Sequence, residues 1–218
     1  MTQISENLTS LKKELPSHVT LVAVSKTKPV AALMEAYSAG QRVFGENKIQ
    51  EMVEKWEAMP KDVEWHMIGH VQTNKVKYMA PFVHLIHAVD SLKLLNEINK
   101  QGEKYDRTIH CLLQIKIAEE DSKFGMTEAD ALALLSSEDL KKMNHVKIVG
   151  LMGMATFTEN QSQLATEFSR LQTFFDKHKA TFGFTTLSMG MSGDYSVAIQ
   201  YGSTMVRVGS AIFGERNY

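Results

Sequence analysis

The 218-residue sequence has little of several features that mark other classes of protein. It contains one cysteine, Cys111, and only four prolines. A single cysteine can form neither an intrachain disulfide nor a zinc site built from several thiolates, so the composition favours a reducing compartment such as the cytoplasm. Because Cys111 lies within the apolar run 109–113, we expect an inert thiol in the core.

Long apolar runs and an excess of charge of one sign are also missing. The first twenty residues carry charges throughout, which is not typical of a secretory signal. No segment approaches the roughly 18 consecutive apolar residues that a membrane-spanning helix requires. The formal net charge is −1, whereas nucleic-acid-binding proteins usually carry a strongly basic surface. We therefore expect neither a membrane nor a nucleic acid as a partner.

Short apolar runs alternate with longer amphipathic stretches along the whole chain. The runs that are typical of buried strands are 19–24, 42–45, 63–68, 82–89, 108–117, 145–152, 184–190 and 204–209. Helical periodicity is present in 30–39, 48–58, 92–101, 128–135 and 163–179, and an extra N-terminal helix is expected over 5–15. Eight strands with crossover helices favour a closed (β/α)₈ TIM-type barrel over an open doubly wound sheet. The sequence thus predicts an α/β fold with one domain over residues 1–218.

One lysine follows the first predicted strand directly. In a barrel, functional groups collect at the carboxyl ends of the strands, and Lys26 lies at such an end. A partly desolvated lysine amine can have a lowered pKa and attack a carbonyl group. The alternative is a surface lysine in a βα loop, like the neighbouring Lys28.

Two glycine-containing loops follow the last two predicted strands. They are MGMSGD (189–194) and RVGSAIFG (207–214), and barrels often bind phosphate in the loops after strands seven and eight. Glycine lets backbone amides approach an anion, and Ser192 and Ser210 add hydroxyl groups. Arg207 lies inside the eighth strand, where a cation needs a partner. That partner is either a barrel carboxylate such as Glu46 or a bound ligand.

The eight histidines do not predict a metal site. The segment WHMIGH (65–70) lacks the helical spacing of two histidines with a nearby carboxylate, and His84 and His87 lie within an apolar strand. We therefore expect no bound metal.

Six segments, in order along the chain, resemble the pyridoxal 5′-phosphate (PLP) homeostasis protein family. They are LVAVSKTKP (21–29), FGENKIQE (44–51), WHMIGHVQTNK (65–75), GLMGM (150–154), LSMGMSGD (187–194) and GSTMVRVGSAIFGER (202–216). The resemblance implies a PLP-binding barrel related to the N-terminal domain of alanine racemase. It also implies a role in handling the cofactor inside the cell rather than a catalytic turnover.

The same resemblance implies roles for particular residues. Lys26 would carry PLP as a Schiff base, and Arg207 would be the partner of the pyridine nitrogen. The other implied contacts are Ser192, Gly209 and Ser210 at the phosphate, and Asn47 and Met154 around the ring. His66 would lie only behind the pocket. The family often has a threonine at the position of Ser210, and serine keeps the hydroxyl.

Two other functions compete with cofactor handling. A PLP-dependent amino-acid racemase needs a second acid–base group, which related racemases take from a tyrosine in a further all-β domain. Because the chain ends at Tyr218, soon after the last predicted strand, we expect that domain to be missing and the protein to be a monomer. A PLP-free Schiff-base aldolase would instead need a lysine on a later strand. Under the favoured interpretation, PLP-dependent apoenzymes are possible partners.

Overall fold

Eight parallel strands form a closed barrel in the computed structural model, which describes residues 2–119 and 124–215. The strands are β1 (Thr20–Val24), β2 (Val43–Glu46), β3 (Glu64–Met67), β4 (Leu85–Val89), β5 (Ile109–Ile115), β6 (Val146–Gly153), β7 (Thr186–Met191) and β8 (Met205–Val208). Each strand pairs with the next along the chain, and β8 pairs with β1. The predicted (β/α)₈ barrel is confirmed. Tyr218, at which the chain ends, lies outside the described residues.

The helices cover the outside of the barrel and connect the strands. They are α1 (Gln3–Glu14), α2 (Val30–Ser38), α3 (Ile49–Ala58), α4 (Val76–Met79), α5 (Leu92–Lys104), α6 (Glu128–Leu135), α7 (Glu138–Lys141), α8 (Gln161–Phe182), α9 (Tyr195–Gln200) and α10 (Ser210–Phe213). The extra N-terminal helix is present as α1, whose first turn is capped by the Thr2 hydroxyl. Among the described residues, no helix has the length and apolar character needed to cross a bilayer.

The apolar residues form two clusters, one on each side of the barrel wall. The larger cluster lies between the strands and the helices, and the smaller one draws its buried members from strands alone. Those members are Val22, Leu85, Ala88, Leu112, Met152 and Met205. Since they come from five different strands, they fill the barrel interior. β4 and β5 are buried on both faces for this reason, which explains their nearly continuous apolar sequences.

Gly150 lets β6 and β7 approach each other closely. A Cβ atom added at this position would lie 1.7 Å from the carbonyl oxygen of Thr186 on the neighbouring strand. Such a contact cannot be relieved by rotating a side chain, because both groups belong to the backbone. The strand that ends at Gly153, beside the cavity described below, therefore depends on a residue without a side chain.

We expect Gly150→Ala to lower the free energy of unfolding by about 3 kcal/mol, since overpacking against a backbone atom forces the two strands apart. Urea denaturation followed by circular dichroism measures the effect. Gly193→Ala is the matched control, because a Cβ there would meet no atom within 4 Å. Equal stabilities of the two variants would contradict this account of the β6–β7 contact.

Candidate functional site

A cavity of about 1060 Å³ opens at the carboxyl ends of the strands. All seven residues that the sequence analysis proposed as cofactor contacts line it. They are Lys26, Asn47, Met154, Ser192, Arg207, Gly209 and Ser210. These residues follow or end β1, β2, β6, β7 and β8, so closure of the barrel brings together groups that are distant in the sequence.

Two lysines line the cavity among the described residues, and both lie in the loop after β1. The ammonium group of Lys28 donates hydrogen bonds to the carbonyl oxygens of Phe213, Gly214 and Glu215, at 3.0–3.1 Å. Lys28 thereby ties this loop to the end of α10. Lys26 is half-buried at the cavity wall. The two neighbouring lysines thus have different environments in the structure. This difference could not be predicted from their positions in the sequence.

A buried ion pair supports the residue that precedes Lys26. The ammonium group of Lys55 lies 2.7 Å from Oε1 of Glu46 and 2.7 Å from the carbonyl oxygen of Ser25. The Ser25 hydroxyl donates to the same Glu46 oxygen at 2.6 Å. Burial raises the pKa of Glu46, and the charge and hydrogen bond of Lys55 oppose that rise. The sequence analysis missed this network, because Lys55 lies on α3 and shows no motif that connects it with Ser25.

Thr27, directly after Lys26, has an unusual backbone conformation. Its φ angle is 64°, in the left-handed region that a β-branched residue rarely adopts. The carboxylate of Glu51 accepts a hydrogen bond from the Thr27 amide and also pairs with Lys55 at 2.7 Å. Lys55 and its two carboxylate partners therefore hold both residues that flank Lys26. Such a conformation costs about 1–3 kcal/mol and persists only where the surroundings fix it.

Arg207 is a buried cation at the inner wall of the cavity. Its guanidinium group donates to Oγ of Ser188 at 2.6 Å and to the carbonyl oxygen of Gly153 at 3.0 Å. Burial lowers the pKa of Arg207 to about 10, and the negative charge of Asp194 opposes the change, so the group remains protonated at neutral pH. The suggested ion pair between Arg207 and Glu46 is wrong, since Glu46 is bonded to Lys55 and Ser25 instead.

Two buried histidines continue the hydrogen bonding behind Arg207. His87 Nδ1 lies 3.1 Å from Ser188 Oγ, and His66 Nδ1 lies 3.0 Å from His87 Nε2. Burial is the main cause that lowers the pKa of His66 to about 3, and it also places the pKa of His87 well below the ordinary value. Both imidazoles are therefore neutral at pH 7. His66 does not line the cavity and reaches Arg207 only through His87 and Ser188.

The loops after β7 and β8 meet at the outer part of the cavity. The Ser192 hydroxyl accepts a hydrogen bond from the amide of Gly209 at 3.1 Å, which joins the two loops. A side chain at Gly209 would press against Val24, because an added Cβ would lie 3.1 Å from the Val24 carbonyl oxygen. Ser210 begins α10, where the first amides have no acceptor within the helix. Ser192, Gly209 and Ser210 therefore bring hydroxyl and amide groups to the cavity wall.

Asn47 and Met154 stand on the cavity wall after β2 and β6. The backbone of Asn47 packs closely against Gly69, where an added Cβ would lie 2.4 Å from the Asn47 carbonyl oxygen. Asn47 is thereby fixed by the loop after β3. Both side chains are half-buried.

Comparison with known proteins gives consistent relationships over the whole chain. The family model described as "Alanine racemase, N-terminal domain" matches residues 1–217. A protein of Vibrio alginolyticus named "Pyridoxal phosphate homeostasis protein" is 42% identical over 210 residues, covering 93% of this chain and 89% of the relative. The protein of the same name from Escherichia coli K12 is 36% identical, covering 100% and 99%.

Solved structures agree with these relatives. PipY of Synechococcus elongatus PCC7942 with PLP bound has a TM-score of 0.87 and 36% identity, covering 97% of this chain and 100% of that chain. Alanine racemase of Clostridium difficile 630 in complex with cycloserine has a TM-score of 0.80 at 12% identity, covering 99% of this chain and 60% of that chain. At such low identity, the second comparison concerns the fold alone.

We expect Lys55→Met to lower the free energy of unfolding by about 3–5 kcal/mol, because it leaves the Glu46 carboxylate buried without its cationic partner. Urea denaturation at neutral pH measures the loss. The double variant Glu46→Gln/Lys55→Met should recover much of it, since neither charge then remains. A double variant that is no more stable than Lys55→Met would contradict this interpretation of the pair.

Proposed function

Because the chain belongs to the pyridoxal phosphate homeostasis proteins, within the alanine racemase N-terminal domain family, we propose that it binds PLP and takes part in intracellular PLP homeostasis. The observation that carries the proposal is the single cavity that all seven predicted contacts line. Its lining includes an amine, hydroxyl and amide donors that suit an anion, and a buried guanidinium group.

The cavity residues fit the three chemical features of PLP. Lys26 offers an amine for the aldehyde, and we propose that it holds the cofactor as a Schiff base. Ser192, Ser210 and the amides near Gly209 offer donors for the phosphate. Arg207 uses two of its five N–H groups on Ser188 and Gly153, which leaves donors for the ring nitrogen.

Arg207 also sets the electronic character of the site. When bound, PLP supplies a reversible carbonyl group and a ring that withdraws electrons most strongly when its nitrogen is protonated. A guanidinium group with a pKa of about 10 can only donate at neutral pH, so we propose that it keeps the ring nitrogen unprotonated. Such a site stores and releases PLP better than it stabilises a carbanion.

We propose a carrier without robust turnover in preference to a racemase. Racemisation needs acid–base groups on both faces of the substrate, and Lys26 can serve one face. Among the described residues that line the cavity, none is a tyrosine. A PLP-free aldolase is disfavoured because the lysines that line the cavity both follow β1, whereas that reaction would need one on a later strand.

The remaining features of the proposal concern the protein in the cell. We propose that residues 1–218 act as one cytoplasmic domain and as a monomer. PLP-dependent apoenzymes are the proposed recipients of the cofactor. A transfer assay with such an apoenzyme, compared with the rate of spontaneous PLP release, distinguishes direct delivery from passive storage.

Covalent attachment at Lys26 is the first prediction for the bound protein. Borohydride reduction should abolish the visible absorbance of the complex and add the cofactor's mass to the peptide that contains Lys26. Lys26→Ala should lack the visible band while its circular dichroism remains native, and Lys28→Ala should keep the label. Labelling of another lysine in the unaltered chain would refute the assignment.

Recognition of the phosphate is the second prediction. PLP should bind far more tightly than pyridoxal, and Ser210→Ala should weaken PLP binding by roughly tenfold, since a hydrogen bond to a charged group contributes about 1.5–3 kcal/mol. The same variant should leave pyridoxal affinity unchanged, which makes pyridoxal the internal control. Fluorescence titration measures both ligands, and equal losses for the two would place the phosphate elsewhere.

Little inversion of amino acids is the third prediction. The PLP-loaded protein, incubated with L-alanine in deuterated water, should give little or no D-alanine, because loss of one general acid–base group typically costs 10²–10⁴-fold in rate. Chiral chromatography and NMR measure the product. Rapid formation of D-alanine that depends on Lys26 would make the racemase the better interpretation.

A further inference from the structure

A second group of polar side chains lies near the amino-terminal ends of β3 and β4, away from the cavity residues at the carboxyl ends. It comprises Glu64 and His66 on β3 and His84 just before β4, each offering a ligand atom within 4.8 Å of the others. Glu64 and His66 are two positions apart, so they lie on the same face of the strand. The His84 amide is bonded to the carbonyl oxygen of Trp65, which places His84 beside them.

The buried member of this group has a nitrogen without a partner. His66 is 2% exposed, and its Nε2 atom makes no hydrogen bond to any part of the chain that the structure describes. Its Nδ1 atom is already paired with His87 Nε2 at 3.0 Å. Because the two nitrogens of an imidazole point in nearly opposite directions, Nε2 faces away from His87. A buried polar atom without a partner costs about 1–3 kcal/mol, so its retention needs an explanation.

The other two side chains are arranged to complete a site. His84 Nε2 lies 3.6 Å from Glu64 Oε2, and the side chains are 49% and 47% exposed. The rings of His66 and His84 are nearly parallel, with an interplanar angle of 4° and centroids 5.5 Å apart. Since Glu64 and His84 are open to solvent, an ion can enter from outside and keep a water molecule as a further ligand.

We propose that Glu64, His66 and His84 bind a divalent transition-metal ion of the zinc class. Two imidazoles and one carboxylate suit Zn²⁺ and its neighbours in the first transition row, whereas Mg²⁺ and Ca²⁺ prefer oxygen ligands. A histidine that binds a metal usually donates its other ring N–H to an acceptor, and His87 Nε2 provides that acceptor for His66.

This proposal departs from the expectation of no metal drawn from the sequence. That expectation rested on helical spacing, in which two histidines lie on one face of a helix. Here the ligands come from two neighbouring strands, and their proximity depends on the register that pairs His66 with Leu85. The metal proposal does not rest on PLP binding, so failure of one proposal leaves the other standing.

The test uses Zn²⁺ as the probe on the full-length chain after treatment with a chelator. Isothermal titration calorimetry should show one saturable site, and Co²⁺ in its place should give the visible absorption of a low-coordinate complex. His84→Ala and Glu64→Gln, both at solvent-accessible positions, should each weaken Zn²⁺ binding by about tenfold or more, since loss of even an outer partner of a metal ligand costs 10–100-fold.

His70→Ala is the matched control. His70 Nδ1 lies 3.6 Å from Asp90 Oδ2, and its side chain is 49% exposed, as in the pair of His84 and Glu64. Among the described residues, His70 and Asp90 belong to no group that includes a buried histidine, so loss of His70 should leave Zn²⁺ affinity unchanged. Absence of saturable binding, or unchanged affinity in both His84→Ala and Glu64→Gln, would overturn the proposal.

Discussion

The cavity is organised around a buried guanidinium group whose bonded partners are neutral. Arg207 on β8 donates to Ser188 on β7 and to the last carbonyl group of β6. A buried charge is costly unless its hydrogen bonds are satisfied, so these contacts constrain the relative positions of three strands. Neither hydrogen-bonded partner carries a negative charge, and the carboxylate of Asp194 acts on the cation through its charge. The guanidinium group lines the cavity, where a ligand can reach it.

A second buried network performs a similar task at the carboxyl ends of β1 and β2, and β1 pairs directly with β8. The pair of Lys55 and Glu46 fixes Ser25, and Glu51 fixes the strained backbone of Thr27, so the intervening Lys26 is held from both sides. Both networks lie at the carboxyl ends of strands, where the apolar filling of the barrel gives way to polar groups. Barrel closure, rather than any local motif, is what places the amine and the guanidinium group around one cavity.

Much of this arrangement could be predicted from the sequence. All eight strands and the longer helices follow from apolar periodicity. Lys26 and the loops that carry Ser192 and Ser210 were singled out because barrel function collects after strands, whereas Asn47 and Met154 came only from the family resemblance. α7, α9 and α10 were not predicted as helices, since four to six residues are too few for a periodic pattern. The partners of Arg207 and the role of Lys55 could not be predicted, because each contact depends on the register of elements distant in sequence.

The same reason explains why the group of Glu64, His66 and His84 escaped the sequence analysis. Strand alternation shows which residues share a face, but not which side chains of a neighbouring strand lie opposite them. The error about Glu46 has a related origin: a buried arginine predicts a partner, and the sequence alone does not say which one. Polar contacts inside a barrel therefore require the structure, whereas its apolar framework does not.

We propose that the Arg207 guanidinium group faces the ring nitrogen of bound PLP and keeps it unprotonated. Nitrogen-15 NMR of the protein loaded with PLP labelled at that nitrogen measures the protonation state directly. The account predicts the chemical shift of an unprotonated pyridine at pH 7, moved by a hydrogen bond and altered in Arg207→Gln. The shift of a pyridinium ion in the unaltered protein would contradict it.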